Sequence, residues 1–129
     1  MPRFVIHRHY ARRIHYDLRL EMEGVLKSWA VPKEPLADTK VKRLAIQVED
    51  HDLAYGDFEG EIPEGEYGAG RVEIWDSGEY ELLETQEGLL RFMLHGRKLS
   101  GPWKLVHMKY PPGNQWLFIA SRGAKRVDL

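Results

Sequence analysis

Residues 9–21 of the chain read His9-Tyr-Ala-Arg-Arg-Ile-His-Tyr-Asp-Leu-Arg-Leu-Glu21. Side chains along a β-strand point alternately to opposite faces, and in this stretch the alternation separates apolar from polar residues. One face carries Tyr16, Leu18 and Leu20. The other carries His15, Asp17 and Arg19. The pattern therefore predicts a strand that buries one face in an apolar core and presents a row of polar groups on the opposite face.

The polar face combines groups that bind metal ions with a group that binds phosphate. Imidazole and carboxylate are ligands for divalent metals, and a guanidinium is a fork that fits phosphate oxygens. His9 lies six residues before His15 and could return as a third ligand if the chain turns at residues 11–13. The face therefore predicts a metal site beside a phosphate site. The alternative is a solvated, charged face with one pair between Asp17 and Arg19.

These residues allow two kinds of metal chemistry. Two histidines and one carboxylate with open positions could hold Fe(II) for an oxygenase. The same ligands could hold Mn²⁺ or a similar ion that polarises a phosphoryl oxygen. Arg19 favours the second hypothesis, because it projects from the same face two residues beyond Asp17, where a phosphate would need a further cation.

Length and composition exclude several classes of protein. The 129 residues predict one domain, 1–129. No apolar run approaches the roughly 18 residues of a transmembrane helix, and the N-terminus lacks the apolar region of a signal peptide. Cysteine is absent, which excludes disulfides, thiolate catalysis and cysteine–zinc sites. We therefore expect a cytoplasmic, monomeric protein.

Charge is distributed in three blocks. Residues 1–45 hold ten Lys/Arg and five Asp/Glu, residues 46–90 hold one and fourteen, and residues 91–129 hold eight and one. If the two basic blocks meet in space, they form a positive surface for a polyanion. The alternative is that blocks of opposite sign neutralise one another across the fold.

The chain contains about nine short apolar or alternating runs separated by Gly, Pro, Asp and Asn, which indicates a sandwich or barrel. We predict a turn at residues 76–78 and a short helix starting at residues 84–87. Residues 50–57 are ambiguous, and one helical turn is a candidate there. The glycine-rich stretch 63–70 lacks the Gly-Lys-Ser/Thr of a P-loop and precedes a strand, so we interpret it as a structural turn with positive φ. The nine predicted strands are Phe4–His9, His15–Met22, Val25–Val31, Arg43–Glu49, Arg71–Asp76, Glu79–Leu83, Leu89–Leu94, Trp103–Met108 and Trp116–Ser121, and Phe58–Ile62 is a further candidate.

Three further residues are candidates for the site. His51 lies among acids just past a predicted strand, where it is either a surface histidine or a phosphate ligand or general acid. Tyr55 is four residues further on and could face the same cleft. Lys33 follows a proline that stiffens the strand exit and is either solvated or able to reach a phosphate. No role is assigned to His7, His95 or His107, and the four tryptophans are interpreted as core or rim residues.

Taken together, these motifs resemble the 3′-phosphoesterase module of the bacterial DNA ligase D group. The resemblance begins with the spacing of His9, His15, Asp17 and Arg19 and covers nearly the whole chain in order. It continues in Trp29–Lys33, Val48–His51, Tyr55, Phe58–Gly60, Ile62-Pro63, Gly65–Gly70, Trp75-Asp76, Gly101-x-Trp103-x-Leu105 and Trp116-Leu117.

The resemblance implies a function and a fold. Such modules depend on Mn²⁺ and act on nucleic acid 3′ ends, removing a terminal ribonucleoside and then the 3′-phosphate to leave a 3′-OH for repair. The matches imply His9, His15 and Asp17 as metal ligands, with Zn²⁺ or Co²⁺ as other candidate ions. They imply that Arg19, Lys33 and His51 contact the scissile phosphate and that Tyr55 is a further active-site residue. The implied fold is a compact, closed or nearly closed β-barrel of about eight strands with small flanking helices.

The chain departs from the family pattern in two ways. It begins just before the first motif, whereas ligase-fused members carry an N-terminal arm with active-site contacts, so the balance of the two activities is left open. No ligase or polymerase sequence accompanies the module. We therefore expect a stand-alone version that works with a DNA ligase or other end-joining factors. The remaining alternative to catalysis is a β-barrel that only binds nucleic acid.

Overall fold

The computed structural model of the protein describes residues 1–128. Ten antiparallel strands make up its architecture. Within that range the only helix is a 3₁₀ turn at Leu53–Asp57. The strands are β1 (Arg3–Tyr10), β2 (Ile14–Met22), β3 (Val25–Val31), β4 (Lys42–His51), β5 (Gly60–Ile62), β6 (Gly70–Gln86), β7 (Leu89–Gly96), β8 (Leu99–His107), β9 (Gln115–Ala120) and β10 (Lys125–Arg126).

Eight of these strands close into a barrel. Their order is β1-β2-β3-β4-β9-β8-β7-β6, and a second edge of β1 pairs with β6 to complete the ring. Strand β5 pairs with the first residues of β6, and β10 pairs with β8. Because closure leaves the eight strands without free edges, the predicted mainly β barrel is confirmed. The predicted small flanking helices reduce to the single 3₁₀ turn.

The barrel interior is the hydrophobic core, and it receives the predicted apolar face. Tyr16, Leu18 and Leu20 of β2 point inward and pack in one cluster with Phe4 and Ile6 of β1. Trp29, Trp75 and Trp103 join the same cluster, and Trp116 packs against it. The expectation that the tryptophans are core or rim residues is therefore confirmed.

Strand β6 corrects two predictions. The turn predicted at residues 76–78 is wrong, because β6 continues through it and Gly78 pairs with Phe4 on one side and Gly96 on the other. The glycine serves close approach instead, since a side chain there would collide with the carbonyl oxygen of His95. The helix predicted at residues 84–87 is also wrong, because Gln86 still pairs with Leu89 of β7. Pairing with a neighbouring strand overrides the weak local preference for helix.

The outer face of β1 and β2 is covered by the chain between the 3₁₀ turn and β6. Gly56 lies over Arg3 and Val5, and the guanidinium of Arg3 bonds to the carboxylate of Asp57 at 3.0 Å. This covering segment comprises residues 53–69. On the predicted polar face of β2, Asp17 and Arg19 are buried and His15 is half-buried.

Candidate active site

The β1–β2 hairpin brings the predicted metal ligands together. Residues 11–13 form the connection, and the antiparallel register sets His9 directly opposite His15. The expected return of His9 is therefore confirmed. The side chain of Asp17 lies next to both rings, with Oδ2 3.2 Å from His15 Nε2 and 3.8 Å from His9 Nδ1.

These three side chains form a donor set that fits a divalent metal. One ligand atom from each residue lies within 4.8 Å of the others. His9 Nε2 donates a hydrogen bond to the carbonyl of Ala69 at 3.1 Å. The other ring nitrogen, Nδ1, is therefore unprotonated in the neutral ring and could bind a metal. His15 Nδ1 lies 3.4 Å from the carbonyl of Arg13, so Nε2 is the nitrogen that could bind a metal. Such outer hydrogen bonds fix the tautomer and orientation of metal-binding histidines.

Charge coupling within the triad also favours a cation. Burial alone would raise the pKa of Asp17, but the hydrogen bond with His15 and the charge of Arg19 outweigh it and lower the pKa. The bond with Asp17 raises the pKa of His15 against the opposing effect of burial. Asp17, only 6 % exposed, is therefore an ionised carboxylate that attracts positive charge.

Arg19 is a buried cation whose donors are directed by several partners. It is 3 % exposed. Its Nη2 lies 3.5 Å from Asp17 Oδ2, and its Nη1 donates to the hydroxyl of Ser28 at 2.8 Å. The guanidinium carbon stands 4.9 Å from the centre of the Tyr55 ring, a cation–π contact. These contacts hold the guanidinium in one orientation beside the triad.

His7 is a functional candidate that sequence reasoning missed. It is fully buried, its Nδ1 accepts a hydrogen bond from Arg19 Nε at 3.0 Å, and its Nε2 donates to the carbonyl of Phe58 at 3.0 Å. Burial, together with the charge of Arg19, lowers the pKa of His7 to about 4, so the ring is neutral and able to accept. The signal that could have found it is its place on the polar face of β1, two residues before His9.

His51 and Tyr55 both contact the guanidinium of Arg19. His51 Nδ1 is 3.3 Å from Arg19 Nη1, and the His51 and Tyr55 rings are 4.7 Å apart. Because a guanidinium can only donate, this contact places the proton of a neutral His51 on Nε2. Burial, with the charge of Arg19, lowers the pKa of His51 and favours that neutral form. Burial raises the pKa of Tyr55, so its hydroxyl stays protonated.

One hollow of about 490 Å³ joins most of the predicted residues. Its volume lies in the range typical of small-ligand sites. Its lining includes the predicted His9, His15, Asp17, Arg19, His51 and Tyr55. It also includes residues to which no site role was assigned, among them Ala11, Glu49, Ile62 and Tyr67.

Lys33 is not part of this lining. It borders a separate hollow of about 240 Å³ together with Lys42 and Arg43. Of the histidines without a predicted role, neither His95 nor His107 lines the 490 Å³ hollow.

The glycine-rich segment has a structural role and a second role. Positive φ at Gly65, Gly68 and Gly70 confirms the predicted turn. The same segment also forms one wall of the hollow, and its Ala69 carbonyl holds His9. The sequence did not indicate this second role, because it depends on a contact between residues sixty positions apart.

Comparison with known proteins agrees with this geometry. A family model described as "DNA Ligase D 3′-phosphoesterase domain" matches residues 7–107. A "Multifunctional non-homologous end joining protein LigD" from Pseudomonas aeruginosa is 49% identical over an alignment of 133 positions, which covers 98% of this chain. A "Multifunctional non-homologous end joining DNA repair protein LigD" from Mycobacterium tuberculosis is 51% identical over 118 residues, which cover 88% of this chain.

The chain spans only 16% and 15% of the length of these two relatives. The similarity is therefore to one module of much longer proteins. Among the described residues, no helix has the length and apolar character needed to cross a membrane.

Proposed function

Since the chain belongs to the DNA ligase D 3′-phosphoesterase domain family, we propose that it is a metal-dependent enzyme that heals nucleic acid 3′ ends. It removes a 3′-terminal ribonucleoside as a phosphodiesterase and then the remaining 3′-phosphate as a phosphomonoesterase. The product is a 3′-OH that a DNA ligase or other end-joining factor can use. Its substrate is a primer–template duplex that ends in a ribonucleotide or a phosphate.

One observation carries the proposal: a buried guanidinium lies beside a two-histidine, one-carboxylate cluster in a single open hollow. Burying a cation is costly without partners, and Asp17 alone would satisfy it in a simple ion pair. Here the metal ligands surround the same carboxylate. A site in which one carboxylate lies beside both candidate metal-binding histidines and a fixed cation suits a phosphoryl group.

His9, His15 and Asp17 would hold the metal ion, which we propose to be Mn²⁺, with Zn²⁺ or Co²⁺ as alternatives. A divalent ion supplies Lewis acidity toward a phosphoryl oxygen and lowers the pKa of water. The carbonyls of Ala69 and Arg13 occupy one nitrogen of each histidine and leave the other nitrogen facing Asp17, where such an ion would bind.

The protein groups divide the remaining work. Arg19 neutralises charge that develops on the phosphoryl oxygens, because its fixed donors need no reorganisation during the reaction. His51 donates its Nε2 proton either to the leaving oxygen or to a non-bridging oxygen. Tyr55 orients both side chains through its ring. Lys33 borders a neighbouring hollow, so its contact with the scissile phosphate stays a prediction.

A primer–template duplex with one 3′ ribonucleotide tests the proposal. With Mn²⁺ we expect shortening to a 3′-phosphate product and then conversion to 3′-OH, both resolved on a gel. An identical all-deoxy 3′-OH primer should be largely spared, because a ribose 2′-OH offers contacts that DNA lacks. Processive digestion of the all-deoxy primer would instead indicate a general exonuclease.

Two other outcomes would replace the proposal. Turnover that requires Fe(II), oxygen and a keto-acid would identify an oxygenase, which uses the same type of ligand set. Salt-sensitive DNA binding without cleavage under any divalent metal would identify a binding module, since backbone contacts alone give such salt dependence.

A further inference from the structure

The 490 Å³ hollow has two chemically different ends. One end carries the charged guanidinium of Arg19 and the polar ring of His51. The other end is formed by apolar or uncharged residues, namely Ala11, Ile62, Tyr67, Gly68 and Ala69. The metal-ligand triad lies between them, because Ala69 bonds to His9 at one end and Arg19 bonds to Asp17 at the other. The hollow, at about 490 Å³, is therefore larger and more apolar than a phosphate group alone requires.

Tyr67 is the unexplained residue of the apolar end. It lines the hollow, yet 85% of its surface is exposed. By contrast, the site's other tyrosine, Tyr55, stacks against Phe58 and packs at a tilt against His51. An exposed aromatic ring at the mouth of a binding site is suited to stacking on a flat partner, and such rings are the usual platforms for bases of single strands.

The backbone holds Tyr67 at a defined place. Two turn hydrogen bonds join the amide of Glu66 to the carbonyl of Pro63 and the amide of Ala69 to the carbonyl of Glu66. The carbonyl of Ala69 in turn holds the metal ligand His9. Gly68, the residue after Tyr67, lies against both Ile62 and His9. The position of Tyr67 is therefore coupled to the position of the triad through one short segment.

We propose that Tyr67 and Ile62 form a nucleobase subsite that stacks the base of a nucleotide adjoining the scissile phosphate. This inference rests on the proposed function and adds how the substrate is held. A nucleotide matches the hollow because its phosphate suits the charged end and its base suits the apolar end. Stacking requires only a π face, so the subsite accepts any of the four bases.

A binding measurement without added metal tests the subsite independently of catalysis. The probe is a primer–template duplex whose 3′-terminal ribonucleotide carries 2-aminopurine, a fluorescent base quenched by stacking. Wild type and Tyr67→Phe should quench the probe, whereas Tyr67→Ala should not and should bind about tenfold more weakly. Tyr110→Ala is the matched control, since Tyr110 is 82% exposed and does not line the hollow. Equal quenching and affinity in wild type and Tyr67→Ala would overturn the proposal.

Kinetics then locate the base. With Mn²⁺ and the ribonucleotide-ended primer, Tyr67→Ala should raise KM about tenfold and change kcat little, because stacking contributes to binding. Two further primers lack the base at the terminal or at the penultimate position. The stacked base is the one whose removal abolishes the difference in KM between wild type and Tyr67→Ala. A difference that persists on both base-free primers would contradict stacking. If wild type cleaves no primer, the proposed function fails, and the 2-aminopurine experiment still decides the subsite.

Discussion

Arg19 shows how the environment of one residue determines its chemical use. Its guanidinium is surrounded by an acceptor ring, a hydroxyl, a carboxylate and an aromatic face, contributed by His7, Ser28, Asp17 and Tyr55. Each partner restricts its orientation. A side chain held in this way can meet developing negative charge without losing conformational freedom during the reaction.

Replacing Arg19 tests this assignment directly. We expect Arg19→Ala to lower the rate of primer processing by roughly 10²–10³-fold, the usual cost of losing one preorganised donor. Arg19→Lys should recover only part of the rate, because an ammonium keeps the charge but lacks the planar fork. A near-normal rate in Arg19→Ala under single-turnover conditions would place the residue in a purely structural ion pair.

His7 should influence the reaction through Arg19. We expect His7→Leu to lower kcat by about tenfold, since loss of one positioning contact misplaces the guanidinium. His7→Gln should retain more activity, because an amide can accept from Arg19 and donate to Phe58. In an Arg19→Lys background, which lacks Nε, His7→Leu should cause no further loss of rate. Additive losses in this double-mutant cycle would show that His7 affects the rate independently of Arg19.

Asp17 should control metal affinity. We expect Asp17→Asn to weaken Mn²⁺ binding at least tenfold, measured by calorimetry, because an amide removes the ligand charge while keeping the shape. Asp50→Asn is the control, since Asp50 pairs with Lys27 at the surface and lies outside the ligand set. If Asp17→Asn bound Mn²⁺ like wild type, the metal site would be misplaced.

At the scale of elements, the connection between β7 and β8 depends on a carboxylate from β6. Asp76 is buried and accepts hydrogen bonds from the backbone amides of Ser77, Arg97, Lys98 and Leu99 at 2.8–3.0 Å. The residue predicted to begin a turn thus organises a turn elsewhere in the chain. One side chain thereby satisfies amides from two strands and their connection.

Removing that carboxylate should destabilise the barrel. We expect Asp76→Ala to lower the free energy of unfolding by about 2–4 kcal/mol, because several buried amides lose a charged acceptor. The free energy of unfolding of Asp76→Asn should lie between those of wild type and Asp76→Ala, because the amide keeps one acceptor oxygen. Asp52→Ala is the control, at an exposed position without a side-chain capping bond. It should change the free energy of unfolding by less than about 0.5 kcal/mol. Urea unfolding measures all three, and equal stabilities of Asp76→Ala and wild type would refute the assigned role.

At the scale of the whole molecule, the charge blocks meet in part. Ion pairs such as Arg3–Asp57, Arg8–Glu73 and Arg91–Glu84 join basic segments to the acidic one. The alternative of mutual neutralisation is therefore supported at these positions. Arg12 and Arg13 stay exposed at the tip of the hairpin that carries the metal ligands, so a positive surface beside the site stays a prediction.

Stability of the whole barrel should respond to alkaline pH through Tyr80. Its hydroxyl donates to the carbonyl of Glu21 at 2.7 Å, and burial raises the pKa of Tyr80 to about 12. The unfolded chain releases this proton near pH 10, so the folded state holds more protons at higher pH and loses stability as pH rises. We expect Tyr80→Phe to show a smaller fall in the free energy of unfolding between pH about 9 and about 12. Tyr110→Phe, altered at an exposed ring, should match wild type.

Local pattern was sufficient for the strand class and for part of the site. Alternation along β2 placed Tyr16, Leu18 and Leu20 inward and put Asp17 and Arg19 on the opposite face. The spacing of His9 and His15 across a three-residue connection also allowed their pairing. These features follow from strand geometry over a few neighbouring residues, which any sequence with this alternation shares.

Tertiary structure decided the rest. The tautomer of His9 and the anchoring of His7 beside Arg19 require the covering segment, whose Ala69 and Phe58 lie 60 and 51 residues away in the chain. The continuity of β6 likewise depends on pairing with β1 and β7, and the separation of Lys33 from the hollow depends on where β3 ends and β4 begins. Alternation along a strand is a property of adjacent residues, whereas the partner that covers a polar face is chosen by contacts between distant ones. For that reason the sequence determined which groups share a face, and only the folded barrel determined what each of them binds.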